Sequence, residues 1–201
     1  MLKQIEKKRS IEIAISSIKK NENPIKSFIE SSDEPKVQIG NDYVTTSIIN
    51  FNKLTNGGFN KRSINLLVGA PGSGKTIFAT QFLLDGLKKK ERCIYITFEE
   101  NKSEFYNNML QFGWDLAEYE KQGLLIFVKY SPIKLKNMVE EGGGIIESEI
   151  RTKKVSRLVI DSISSFELIY QDPTERRLAL LALFNFIKRW GCTSVLTVEN
   201  D

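Results

Sequence analysis

The sequence predicts an α/β fold with a mainly parallel central sheet flanked by helices, and three observations carry that expectation. From Tyr43 onward, short apolar runs alternate with longer stretches of helical period. The runs are apolar almost throughout, as strands covered on both faces must be. One junction, from Ile64 to Thr76, passes from such a run through a glycine-rich loop into a helix.

The elements are read in chain order. Residues Met1–Gly40 stand apart, with eight Lys/Arg, six Asp/Glu and Ile5, Ile11, Ile15 and Ile18 at near-helical spacing. Asn23-Pro24 interrupts that pattern. A second short helix is expected over Ile25–Ile29, and Ser31–Pro35 reads as a linker. Residues 1–40 are thus taken as a helical arm packed on its own domain or on a neighbouring subunit, and 41–201 as the core domain. The acidic residues interspersed in the arm argue against a membrane or nucleic-acid role for it. Strands are expected at Ile64–Val68, Cys93–Phe98, Leu124–Val128, Leu158–Ile160 and Ser194–Val198. Helices are expected at Lys75–Leu87, Lys102–Phe112, Leu135–Glu141, Ile145–Lys153 and Asp172–Trp190. The last is well punctuated: Asp172 can cap it, Pro173 suits the first helical position, Glu175 completes a capping pattern and Gly191 stops it. Gly142-Gly143-Gly144 reads as a surface loop.

Composition narrows the chemistry. The chain has 201 residues, 29 Lys/Arg and 25 Asp/Glu, for a net charge of +4, too mild to argue for nucleic acid by itself. It contains no His, which excludes Ser-His triads and His-based zinc sites. The longest apolar runs, such as Leu178–Phe184, fall far short of the ~20 residues that span a bilayer. The charged start has no apolar segment behind it and is not read as a signal peptide. Cys93 and Cys192 each open a strand-like run and are expected as buried free thiols, which places the protein in the cytoplasm.

Gly69-Ala70-Pro71-Gly72-Ser73-Gly74-Lys75-Thr76 matches G-x-x-x-x-G-K-[ST] in full. Glycines let consecutive N–H groups turn around phosphate oxygens, and the following helix adds the positive end of its dipole. Lys75 would reach the β- and γ-phosphates, and the Thr76 hydroxyl would ligate Mg²⁺. The nucleotide-contacting stretch is taken as Gly69 through Ile77, with ATP and Mg²⁺ as the ligands. Arg157-Leu158-Val159-Ile160-Asp161 is an apolar strand ending in Asp, the Walker B pattern, and Asp161 is the second candidate metal ligand. Ser162 follows it, so a hydrolytic Glu must come from elsewhere. Glu99-Glu100, at the end of the strand after the P-loop helix, is the candidate; of two adjacent carboxylates only one can point into the site.

These residues resemble the KaiC-like branch of the RecA/RadA superfamily of P-loop ATPases. The segments that carry the likeness are Thr46–Phe59, the P-loop, Tyr95–Glu100, Phe112-Gly113-Trp114-Asp115-Leu116, Val159–Ser162 and the sensor-like strand Val195–Glu199. The resemblance implies a RecA-like core and a ring or filament of identical subunits with ATP between them. It also implies that Glu99 activates water, with Glu100 in support. Asn50 and Asn52 stand where the family often has Gly and Asp. Relatives continue past the sensor strand with segments that insert residues at the neighbour's phosphates, so the chain is expected to be C-terminally truncated or a reduced variant. An oligomeric Mg-ATPase acting as a regulator or recombination accessory is the leading expectation. A non-hydrolysing ATP sensor and a DNA-binding recombinase paralogue are the alternatives. DNA is unsupported as a partner, because Ser164–Gln171, the loop where such contacts would lie, has no Lys or Arg.

Overall fold

The computed structural model describes residues 42–141 and 144–200. The expected N-terminal arm, Gly142 and Gly143 lie outside these residues. In chain order the elements are β1 (Tyr43–Val44), α1 (Ile49–Leu54), β2 (Phe59–Asn60), β3 (Ile64–Gly69), α2 (Lys75–Lys88), β4 (Cys93–Thr97), α3 (Lys102–Leu110), α4 (Leu116–Lys121) and β5 (Leu125–Lys129). They continue as α5 (Pro132–Glu141), α6 (Gly144–Thr152), β6 (Arg157–Asp161), α7 (Ser164–Glu167), α8 (Pro173–Trp190) and β7 (Thr193–Glu199).

β3 to β7 form one parallel sheet in the order β3-β7-β6-β4-β5. Burial on both faces explains why β4, β6 and β7 are continuously apolar, whereas β3, at the edge, has no fully buried residue. In β4, Ile94 and Ile96 enter one core and Cys93 and Tyr95 the other. On the first face α5 to α8 contribute Leu135, Ile150, Phe166, Leu183 and Ile187. On the second face α2 to α4 contribute Phe82, Leu83, Leu87, Phe105 and Leu116. All five expected strands are present, within a residue or two at each end. Gly144 opens α6 instead of belonging to a loop, an ordinary use of glycine at a helix start.

The capping expected of α8 is realised. The Asp172 carboxylate accepts N–H bonds from Thr174 at 2.8 Å and Glu175 at 2.9 Å, and Gly191 takes a left-handed φ of 71°. Five short elements had no sequence signal of their own: β1, β2, α1, α4 and α7. α1 buries no residue fully; it is held by Phe51, whose ring lies 4.9 Å from Phe59 and 5.0 Å from Phe78. Asn52 ties the approach to α1, accepting from the Thr46 N–H at 2.9 Å and donating to the Thr46 carbonyl at 2.6 Å. Both cysteines are free and buried.

A buried ion-pair cluster locks α2 to the start of β6. Arg157, 1 % exposed, donates to Glu91 at 2.6 and 3.1 Å, to Asp85 at 3.0 Å, and to the carbonyls of Thr45 and Phe82 at 2.8 Å each. All five guanidinium donors are thereby used. Among the described residues, β3 pairs on one side only, and Leu66 and Val68 on it are 53 % and 56 % exposed. No helix of the described residues is long and apolar enough to cross a membrane.

Candidate active site

The carboxyl ends of β3, β7, β6 and β4 lie side by side, and the sheet order alone brings the scattered motifs together. β6 and β4 pair with Asp161 opposite Thr97, and β6 and β7 with Ile160 opposite Leu196, which sets Thr197 beside Asp161. Ligands of parallel α/β sheets bind at this edge.

The loop from Gly69 to Gly74 joins β3 to α2. Gly72 and Gly74 adopt φ of 76° and 88°, a region that suits only glycine well. Gly69 is glycine for space: a Cβ there would lie 2.7 Å from Ser73 Oγ. Pro71 to Gly74 are exposed, and Ile77 packs its side chain against the core, so it can meet a ligand only through its backbone. The α2 N-terminus has no side-chain cap and no acidic residue in its first turn, which leaves its N–H groups and dipole to an anion. Lys75 is 8 % exposed, and its ammonium is held by the Gly69 and Ala70 carbonyls at 2.9 Å each. A buried cation satisfied only by loop carbonyls beside uncapped N–H groups fits a polyphosphate.

Asp161 collects three hydroxyl donors. Thr76 donates to Oδ2 at 2.8 Å, Tyr95 donates to Oδ2 at 2.6 Å, and Thr197 donates to Oδ1. Burial, reinforced by the Asp161 charge, pushes the Tyr95 hydroxyl well above its ordinary pKa, so it remains a donor. Thr76 and Asp161 fit a magnesium site that takes its other ligands from water and phosphate. Among the described residues no group of three or more acidic or Cys side chains could hold an ion unaided.

The two glutamates differ. Glu99 is exposed, and its Oε1 accepts from Ser165 Oγ at 2.6 Å. Glu100 is half-buried; burial first, then the charges of Asp161, Glu99 and Glu104, raise its pKa. The turn that carries them is pinned twice. Thr97 Oγ1 accepts from the N–H groups of Glu99 and Glu100 at 3.3 and 3.2 Å, and Lys129 Nζ donates to the Glu99 carbonyl at 2.9 Å. Sequence reasoning missed Tyr95, Thr97, Lys129, Ser165 and Thr197 as parts of this site. Tyr95 and Thr197 stand in motif-bearing strands, which was the only signal available for them.

The chain is similar over most of its length to known proteins. A family model described as "ATPase: KaiC" matches residues 44–201. The circadian clock protein KaiC3 of Synechocystis is 33 % identical over 167 residues, which cover 80 % of this chain and 33 % of that protein. A UPF0273 protein of Pyrococcus horikoshii is 34 % identical over 170 residues, 78 % of this chain and 68 % of the relative. A UPF0273 protein of Thermotoga maritima is 31 % identical over 170 residues, 78 % of this chain and 69 % of the relative. The chain therefore spans about a third of the cyanobacterial protein and just over two thirds of the other two.

Proposed function

The chain belongs to the KaiC family of P-loop ATPases, and from that premise we propose that this ATP-binding protein is a magnesium-dependent ATP hydrolase that works as a homo-oligomer in the cytoplasm. The observation that carries the reading is the 2.8 Å hydrogen bond from Thr76 to Asp161, which joins the P-loop to the Walker B strand at one point. The α2 N–H groups and Lys75 bind the phosphates. Thr76 and Asp161 would hold magnesium, which supplies charge neutralisation at the β- and γ-phosphates. Tyr95 and Thr197 fix the orientation of Asp161 through its two oxygens. Glu99, solvent-accessible and steadied by Ser165, takes a proton from the attacking water, and Glu100 supports it from beside Asp161. A role as a regulator or recombination accessory follows from the resemblance alone.

Lys75→Ala tests the assignment. The side chain binds only loop carbonyls, so the variant is expected to keep its thermal unfolding profile while losing most affinity for a fluorescent ATP analogue. Parent-like affinity in a folded variant would remove this loop as the site. Phosphate release by the parent, measured with and without DNA, separates the alternatives. Tight binding with no turnover identifies a sensor, and stimulation by DNA identifies a recombinase-like protein.

A further inference from the structure

At the opposite, amino-terminal edge of the sheet lies a cavity of about 470 Å³, within the range of small-ligand sites. β3 has six residues, so this cavity is roughly 20 Å from the P-loop at about 3.3 Å per residue. Its walls come from the segments that lead into β3, β4, β6 and β7, and include Tyr43, Lys61, Arg62, Lys154 and Thr193. Five cationic side chains line it. Two of them are neutralised: Arg157 by Glu91 and Asp85, and Lys89 by Asp85. The side chains of Lys61, Arg62 and Lys154 have neither an ion pair nor a hydrogen bond among the described residues. Basic residues near this edge have one ordinary explanation, because helices end here and cations offset their dipoles. Lys88, Arg151, Lys188 and Arg189 sit in last turns and are accounted for in that way. Of the three unpaired cations, Lys61 and Arg62 belong to no helix, and Lys154 stands two residues past the end of α6.

The backbone adds an independent observation. Arg62 and Lys154 adopt φ of 59° and 50°, the left-handed region where glycine would be free of strain. Arg62 is the third residue of a turn closed by the Ser63 N–H on the Asn60 carbonyl at 3.2 Å, and Lys154 follows the end of α6. Both are places where glycine is the usual residue. Lys90, after α2 and outside the cavity, has a similar φ of 63°, so the backbone alone does not assign a function, but it makes Arg62 and Lys154 positions where glycine can replace the cation without strain.

We infer that this cavity is a second anion site, separate from the nucleotide site, that takes a small ligand bearing a diphosphate or two neighbouring phosphate groups on Lys61, Arg62 and Lys154. Two or more negative charges match the three free cations. A half-open cleft of about 470 Å³ is of the size that one small molecule fills.

The test is calorimetric titration of inorganic pyrophosphate into the full chain saturated with ADP, which occupies the P-loop. Saturable one-to-one binding is expected. Arg62→Gly and Lys154→Gly should each weaken it at least tenfold while leaving the unfolding temperature unchanged or raised, because glycine relieves the backbone. A merely structural role for these cations would not separate the two readouts. The inference is overturned if the ADP-saturated protein does not bind pyrophosphate, or if both glycine variants bind it as the parent does. It is equally overturned if a twelve-base-pair DNA duplex binds there with steep salt dependence and pyrophosphate does not, which would make the patch a polymer-binding surface.

Discussion

Three hydroxyls converge on Asp161, and none of those contacts is visible in a one-dimensional motif. Thr76 was named because it belongs to the P-loop pattern. Tyr95 and Thr197 reach the same carboxylate only because β4 and β7 flank β6. The glutamate pair was legible as a candidate but not as two environments. Adjacent residues on a turn meet different surroundings, and only the folded chain sets Glu99 against Ser165 in solvent and leaves Glu100 half-buried within the field of the Asp161 charge. Their roles can be separated. Glu99→Gln is expected to bind ATP normally and to lose about 10²-fold or more in turnover, the size of a missing general base. Glu100→Gln should lose less. Single-turnover phosphate release measures both; parent rates in both variants would place the base elsewhere.

The helices and strands that were read correctly are those with a core to fill. Both faces of β4, β6 and β7 are buried, so their composition betrays them, and α8 announces its ends through Asp172 and Gly191. What escaped is held by contacts distant in sequence. α1 rests on a phenylalanine cluster, and the α2–β6 junction rests on Arg157, a charge that would ordinarily be assigned to solvent. That junction has no spare room. A Cβ on Gly86 would lie 2.4 Å from Arg157 Nε and 2.7 Å from Arg157 Cδ. The guanidinium cannot step aside, because all its donors are engaged. Gly86→Ala should therefore cost about 1–3 kcal/mol, the scale of overpacking. Arg157→Met should cost about 3 kcal/mol, the lower end for a broken buried pair, because Asp85 and Glu91 can partly rehydrate. Denaturant unfolding reads both values. The cluster also has a pH signature. Burial raises the pKa of Asp85 and Glu91, but hydrogen bonds and charge from Lys89, Thr45 and Arg157 outweigh it for Asp85, and those from Arg157 and Ser156 for Glu91. Both carboxyls end below their ordinary values of 3.8 and 4.5. Groups held low in the folded state stabilise it fully above those ordinary values. The contribution drains away as pH falls through the lowered ones. Melting temperature should fall on acidification below 4.5, and Arg157→Met should show a shallower fall from a lower starting point.

The molecule as a whole has apolar surface to spare. Leu178 and Leu181 on α8 are 62 % and 50 % exposed, and Leu66 and Val68 are exposed on β3, which among the described residues pairs on one side only. Among the described residues, Lys75, Thr76, Asp161, Glu99 and Glu100 make no hydrogen bond to any Arg. The shared-site reading assigns a transition-state cation, worth roughly 10³–10⁵ in rate, to a neighbouring subunit, because Lys129 beside Glu99 is already engaged by the Glu99 carbonyl and Asn101. Turnover per subunit is expected to rise with protein concentration in parallel with the sedimentation coefficient in ATP and Mg²⁺. A monomer fully active at every concentration would refute the shared site. The parallel sheet itself was legible; its strand order was not, since apolar runs carry no record of their neighbours. That order has a consequence for the protein's birth. β7 follows the other four strands of this sheet in the chain, yet it lies between β3 and β6, and Asn65 meets Ser194 across 129 residues. While the ribosome is still making α8, the P-loop strand has no partner in the main sheet, and the half-site on β4 and β6 stands apart from it. Thr197 emerges after Thr76 and Tyr95 and completes the donors on Asp161. Nucleotide cannot therefore chaperone the growing chain. It can only reward a chain that already contains β7, and one that lacks it carries an orphaned apolar strand that quality-control factors can recognise.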